Sequence, residues 1–172
     1  YSLAAHPRLR NRTFIITSFG KTFHITGWKV GACIAHSHLM AIFRSVHQFV
    51  SFSVNTPAQV ALAEYMMDES RYSELSEFFQ RKRDVFRNAM ADSRFTMRPC
   101  SGSYFQLIGY ESVSTEHDIA LAKRLTLEHG VATIPLSPFY TTPPAVEDRV
   151  LRVCFAKTEE TLLLAAHRLC RL

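Results

Sequence analysis

The chain has 172 residues, 47% of them hydrophobic, enough for a buried core and too apolar for a disordered polypeptide; its length suits one domain or slightly more. Its 20 basic and 15 acidic side chains leave a net charge of +5. That charge is scattered, with Arg81-Lys82-Arg83 as its densest run, as expected of a solvated helix face and not of a nucleic-acid-binding surface.

Thr13-Phe14-Ile15-Ile16-Thr17 is a β-branched and aromatic run ending at Ser18-Phe19-Gly20, which predicts a buried strand entering a loop. Trp28 to Ala35 predicts a second strand. Lys21 to Gly27 connects the two, so Lys21 lies at a strand end, where α/β proteins hold ligands. From His38, the residues Leu39, Ile42, Phe43, Val46 and Phe49 recur at helical spacing, with Ser37 available as cap. After an irregular segment from Ser51 to Asn55, Thr56-Pro57-Ala58-Gln59 combines a capping box with proline at the first helical position. Leu75, Phe78, Phe79, Val85, Phe86, Ala89 and Met90 then mark a long amphipathic helix over about 71–92, its aromatics assigned to the core.

Beyond that helix the texture changes. Phe95 to Arg98 and Tyr104 to Ile108 read as strands around a Ser101-Gly102 turn, and a helix from about Glu116 to His129 is closed by Gly130. Val131 to Pro135 and Val150 to Phe155 are two more strands, separated by the proline-bearing loop Leu136 to Glu147. Thr158 caps a last helix whose early Glu159 and Glu160 and late Arg168 and Arg171 suit the helix dipole. The expected organisation is a first domain at 1–75 and an α+β domain at 76–172, with the boundary within the long helix.

Four cysteines (Cys33, Cys100, Cys154, Cys170) stand far apart, and His36 and His38 lack a further ligand pair. The expectation is no metal site, reduced and mostly buried thiols, and a cytoplasmic protein. No apolar run approaches the roughly 18 residues of a membrane span, and no charged-then-apolar leader opens the chain.

The chemistry concentrates in SFGKTFHITGWKVG, Ser18 to Gly31. Gly20-Lys21-Thr22 looks like the end of a phosphate-binding P-loop, but that motif needs glycine where Ile15 stands. Another chemistry fits. Pyridoxal phosphate needs an amine to hold its aldehyde and cations and hydroxyls for its phosphate, and Lys21, Ser18 and Lys29 offer these. Its amino-acid substrate needs an anion acceptor, for which the fork of Arg152 is suited; Arg149 is the competitor, but strand alternation and its place at the strand's start predict that it faces solvent.

Five ordered segments, SFGKTFHITGWKVG, VHQFVSFSVNTPAQ, GSYFQL, GVATIPLSPFY and LRVCFAK, resemble the fold-type I aminotransferases (class I/II), in the branch of kynurenine, glutamine and methionine-preferring enzymes. The resemblance implies an α/β, aspartate aminotransferase-like PLP-dependent transferase fold, with 1–75 as the C-terminal part of the large domain and 76–172 as the small domain. It implies a Schiff base between Lys21 and pyridoxal 5'-phosphate, phosphate binding by Ser18 and Lys29, and α-carboxylate binding by Arg152. Freed Lys21 would move the Cα proton, with ping-pong exchange between amino acid and 2-oxo acid. A homodimer is implied too, with the Phe52 segment close to the neighbouring subunit's site.

Trp28, Phe52 and Tyr140 are aromatic candidates for a pocket wall, and methionine is the first-choice substrate. The family's earlier half is not in this sequence, which begins at Tyr1: the acid for the pyridine nitrogen, the ring tyrosine, the asparagine and the glycine-rich turn. The chain therefore reads as the C-terminal part of a longer protein. Two other readings stand beside transamination: a cysteine-S-conjugate β-lyase using the same lysine, and a non-catalytic interaction domain.

Overall fold

Ile15–Ser18 (β1) and Gly31–Ile34 (β2) pair antiparallel in register Ile15↔Ile34 to Ser18↔Gly31. They belong to a computed structural model that describes residues 2–142 and 149–172, so the second part of the Leu136–Glu147 loop lies outside the described residues. Strand β2 starts later than the sequence predicts. Thr26–Trp28 is a 3-10 turn and Lys29 is left-handed (φ 55°, ψ 38°), a conformation no extended strand contains.

The chain divides into two units, Tyr1–Ser73 and Glu74–Leu172. In the first, β1 runs into a one-turn helix, Phe19–Thr22 (α1), and β2 is followed by Ser37–Val50 (α2), whose cap is His36 and not the expected Ser37. Thr56–Tyr65 (α3) begins one residue off expectation. Asn55 takes the cap, its side chain accepting the Ala58 N–H at 2.9 Å, while Gln59 donates to the Val54 carbonyl. Asparagine caps as well as threonine or better, and its oxygen reaches the third amide of the helix, so the capping box is superseded. A short turn, Ser70–Ser73 (α4), ends the unit. Val30, Ala58 and Leu62 form its core, with Phe19, Phe23 and Ile25 packed on them. Helix α2 buries none of its residues.

In the second unit, Leu75–Ala89 (α5) is shorter than the helix expected over 71–92, because α4 is a separate turn. Of its aromatics, Phe86 is buried and Phe79 packs on the core, whereas Phe78 is half-buried, edge-on to Phe79 with Lys82 over its ring. Thr96–Met97 (β3), Phe105–Gly109 (β4), Ile134–Pro135 (β5) and Val150–Cys154 (β6) form an antiparallel sheet in the order β3-β4-β6-β5. Asp118–His129 (α6) stops at Gly130 in left-handed conformation, and Thr158 caps Glu159–Leu169 (α7), as their residues predict. Ile108, Leu121, Leu125, Leu151, Phe155 and Ala166 are essentially inaccessible at the centre of this core. All four cysteines are free, but the expectation of mostly buried thiols does not hold. Three are half-buried, and Cys170, at the end of α7, is exposed.

Candidate active site

Ser18 is the last residue of β1 and lies opposite Gly31, the first of β2. Lys21, three residues after Ser18, and Lys29, two before Gly31, therefore leave the ladder at the same end. A Cβ on Gly31 would stand 2.5 Å from the Thr17 carbonyl oxygen, so only glycine lets the strands approach this closely. Gly20 has a similar reason. Its added Cβ would lie 3.1 Å from Thr26 Cα and 3.3 Å from the Ile25 carbonyl oxygen, and its own carbonyl accepts the Ile25 N–H at 3.1 Å. The glycine before Lys21 thus serves to close α1 against the Thr26–Trp28 turn.

Ser18, Lys21 and Lys29 are all exposed. Among the described residues neither lysine has an ion-pair partner and the Ser18 hydroxyl caps no amide. One strand end thus carries two uncommitted cations and one uncommitted hydroxyl.

Backbone strain singles out the same segments. The non-glycine residues with positive φ among those described are His24, Lys29, Phe52 and Ser103. Each costs on the order of 1 kcal/mol, and such strain concentrates at functional sites. Lys29 and His24 lie in SFGKTFHITGWKVG, Phe52 in VHQFVSFSVNTPAQ and Ser103 in GSYFQL. Phe52 follows the end of α2, its N–H bonding the His47 carbonyl at 3.0 Å, where helices place glycine. It is also 82% exposed, so burial does not hold it there. Trp28 (46%) and Tyr140 (56%) are exposed as well, so none of the three aromatics is core.

In the second unit, Arg152 sits on β6 opposite Leu107 of β4 and Ile134 of β5. The diagonal neighbour across the ladder is Phe105, whose ring centroid is 4.2 Å from the guanidinium carbon; the Phe139 ring is 5.4 Å away. Among the described residues Arg152 Nε is buried without a hydrogen-bond partner. The guanidinium is thus flanked by aromatic rings, partly desolvated and unsatisfied, the state that favours a bidentate anion.

Arg149, expected to face solvent, does not. It is half-buried and its Nη1 donates to the Ser114 carbonyl at 3.5 Å, because it precedes β6 and strand alternation does not govern it. Phe105 and Phe139 were not singled out by sequence reasoning. Their signal exists only once the β4–β6 register is known. Among the described residues no three His, Cys, Asp or Glu side chains form a metal-binding group, and no helix is long and apolar enough to cross a membrane.

Comparison with known proteins agrees on one family. The model for "Aminotransferase class I and II" matches residues 2–169. Methionine aminotransferase of Escherichia coli (strain K12) is 50% identical over 169 residues, covering 98% of this chain and 43% of that protein. Kynurenine–oxoglutarate transaminase of Dictyostelium discoideum is 33% identical, covering 100% of this chain and 44% of its own length. A crystal structure from Escherichia coli, described as identifying a methionine aminotransferase function, superposes at TM-score 0.94 with 49% identity, over 100% of this chain and 45% of that one. Aspartate aminotransferase from Thermus thermophilus, at 24% identity and TM-score 0.77 over 94% of this chain and 44% of its own, shares the fold. The chain therefore spans somewhat less than half the length of these relatives, adopts the aspartate aminotransferase-like fold over that part, and belongs to the class I and II aminotransferase family.

Proposed function

We propose that the protein carrying this chain is a pyridoxal-phosphate-dependent aminotransferase that moves the amino group of an apolar, sulfur-containing or aromatic L-amino acid, methionine first, to a 2-oxo acid. The observation that carries this reading is the strand end itself: exposed Lys21 and Lys29, both unpaired among the described residues, with the free Ser18 hydroxyl at the same end of the ladder. These residues fit pyridoxal phosphate. Ser18 Oγ and Lys29 Nζ would hold its phosphate and the Lys21 amine its aldehyde, while the Gly20 and Gly31 contacts keep the backbone there too close for any side chain.

Bound cofactor supplies an aldehyde for amine exchange and a ring system that draws electrons from the substrate Cα–H bond. Lys21 does the rest of the proton work. Its Nζ, which would hold the cofactor aldehyde, would when free be the amine placed to take the substrate Cα proton, so one side chain would serve as tether and base. Arg152 orients the substrate by a two-point grip on its α-carboxylate, a group common to both amino acids and 2-oxo acids. Phe52, strained and exposed, suits an apolar pocket wall in a neighbouring subunit, and a cytoplasmic homodimer belongs to the same reading.

The name of the Escherichia coli relative supports methionine as first choice. The test is borohydride reduction of the cofactor-loaded protein followed by peptide mapping. Cofactor mass is expected on Lys21, and mass on Lys29 would reverse the two lysines' roles. Transfer from methionine to a 2-oxo acid without release of pyruvate and ammonia separates transamination from β-elimination on cysteine conjugates. Failure to take up cofactor would leave an interaction domain.

A further inference from the structure

At the start of α6 a buried carboxylate is committed to a distant turn. Asp118 is 7% exposed. Its Oδ2 accepts the Ser137 N–H at 2.7 Å, and its Oδ1 accepts the Ser137 hydroxyl at 2.7 Å and the Ile119 N–H at 2.8 Å, with His117 Nδ1 3.0 Å away. Burial pushes the carboxyl pKa up, but the Ser137 donors, Ile119 and His117 outweigh it and hold it below the usual carboxylate range. Helix capping alone does not require this. A cap needs one acceptor for one early amide, whereas both Asp118 oxygens go to Ser137.

Ser137 opens the 3-10 turn Ser137–Phe139, in which Pro138 fixes φ. Phe139, the last residue of that turn, is 66% exposed, so packing does not hold its ring over Arg152. The turn does. It is tied upstream by the Ile134↔Arg152 pairing and at Ser137 by Asp118.

We propose that Asp118 is a positioning residue for Arg152: by clamping Ser137 it fixes Phe139 beside the guanidinium, shielding it from water and leaving its edge to a carboxylate. This rests on Arg152 being the α-carboxylate ligand. A purely architectural staple between α6 and the turn would affect stability alone.

The test compares Asp118→Asn, Ser137→Ala, Phe139→Ala and Phe139→Tyr with Arg152→Lys in the pyridoxal-phosphate-loaded enzyme. It reads KM and kcat for amino acid and 2-oxo acid, inhibition by unreactive hexanoate, and thermal unfolding. Losing one ring–guanidinium contact in Phe139→Ala should raise KM and the hexanoate inhibition constant about three- to tenfold. Asp118→Asn and Ser137→Ala should raise both about threefold with kcat nearly unchanged. Phe139→Tyr should restore both constants. Asp118→Asn added to Phe139→Ala should cost nothing further, because both act through one contact. Ser137→Ala removes only one of the two bonds, so it carries the test if Asp118→Asn does not fold.

Lowered thermal stability with unchanged KM and hexanoate binding, or fully additive effects, would overturn the proposal. If Arg152→Lys binds carboxylates normally, the reading of Arg152 itself has failed and the proposal falls with it. If Arg152→Lys is impaired while the Asp118, Ser137 and Phe139 variants are normal, only the positioning role is lost.

Discussion

The two units differ in how they hold the side chains proposed as site residues. Glu74–Leu172 has a dense core, and Arg152 stands on a strand paired on both sides with fully buried Leu151 beside it. Tyr1–Ser73 has only Gly20, Val30, Ala58 and Leu62 buried among its described residues, and carries Ile16, Phe49, Val50 and Phe52 at 76–86% exposure. Lys21 and Lys29 belong to this unit, at the end of the β1–β2 ladder, where the backbone at Lys29 is strained. An anion-binding arginine gains from a rigid sheet that fixes its fork. The role proposed for Lys21, tether and base in turn, calls for a side chain free to move at a strand end.

The sharpest way to break this contrast is to cut each core. Phe155→Ala should cost about 3–5 kcal/mol and lower the denaturant midpoint of the second unit, read by hydrogen exchange at Ile108 and Leu151. Exchange at β1 and β2 should already be fast and stay unchanged. Equal acceleration of exchange in both units would mean that they unfold as one.

Next in size is Arg152→Lys, which keeps the charge and loses the fork. It should cost about 2–4 kcal/mol in kcat/KM, evenly across carboxylate substrates. Arg149→Lys should instead lose about 1 kcal/mol of stability, through its bond to the Ser114 carbonyl, and leave kcat/KM alone. Reversed outcomes would move the carboxylate site to Arg149.

Phe52→Gly should stabilise the first unit by about 1 kcal/mol, because glycine accepts φ 57° without strain. It should raise KM for apolar amino acids if Phe52 walls their pocket. A gain in stability without any change in KM would reduce Phe52 to an ornament of the fold.

The smallest effect is a slope. The folded Asp118 carboxyl lies below its ordinary value of 3.8, so its stabilisation is complete above that value and is lost as pH falls through the lower folded one. Wild type should therefore lose its advantage over Asp118→Asn on acidification below about pH 4, as read by acid unfolding of the second unit. A constant gap between the two down to low pH would show that Asp118 acts by geometry alone.

Much of this fold was legible because its signals are local. Periodicity gave α2 and α5, Thr158 and Gly130 marked helix ends, and the spacing of Ser18, Lys21 and Lys29 located the strand end. What stayed hidden depends on partners distant in sequence. The ring beside Arg152 comes from Phe105 only through the β4–β6 register, and Asp118 meets Ser137 across 19 residues. Left-handed Lys29 and Phe52 were invisible for another reason. Neither residue type favours that conformation, so propensity argued against what the tertiary structure imposes.

Strand β1 has a practical consequence. Its sequence Ile-Ile-Thr-Ser is uncharged and Ile16 is 77% exposed in this chain by itself, so this chain expressed alone presents a short adhesive edge of the kind that recruits other chains. Arg12 and Lys21 flank it as gatekeeping charges. Lys21→Ala therefore removes the proposed Schiff-base amine and a solubilising charge together, and precipitation of that variant would be misread as a failure to fold. Lys21→Arg keeps the gatekeeper, loses the amine, and is the cleaner variant for testing the role proposed for Lys21.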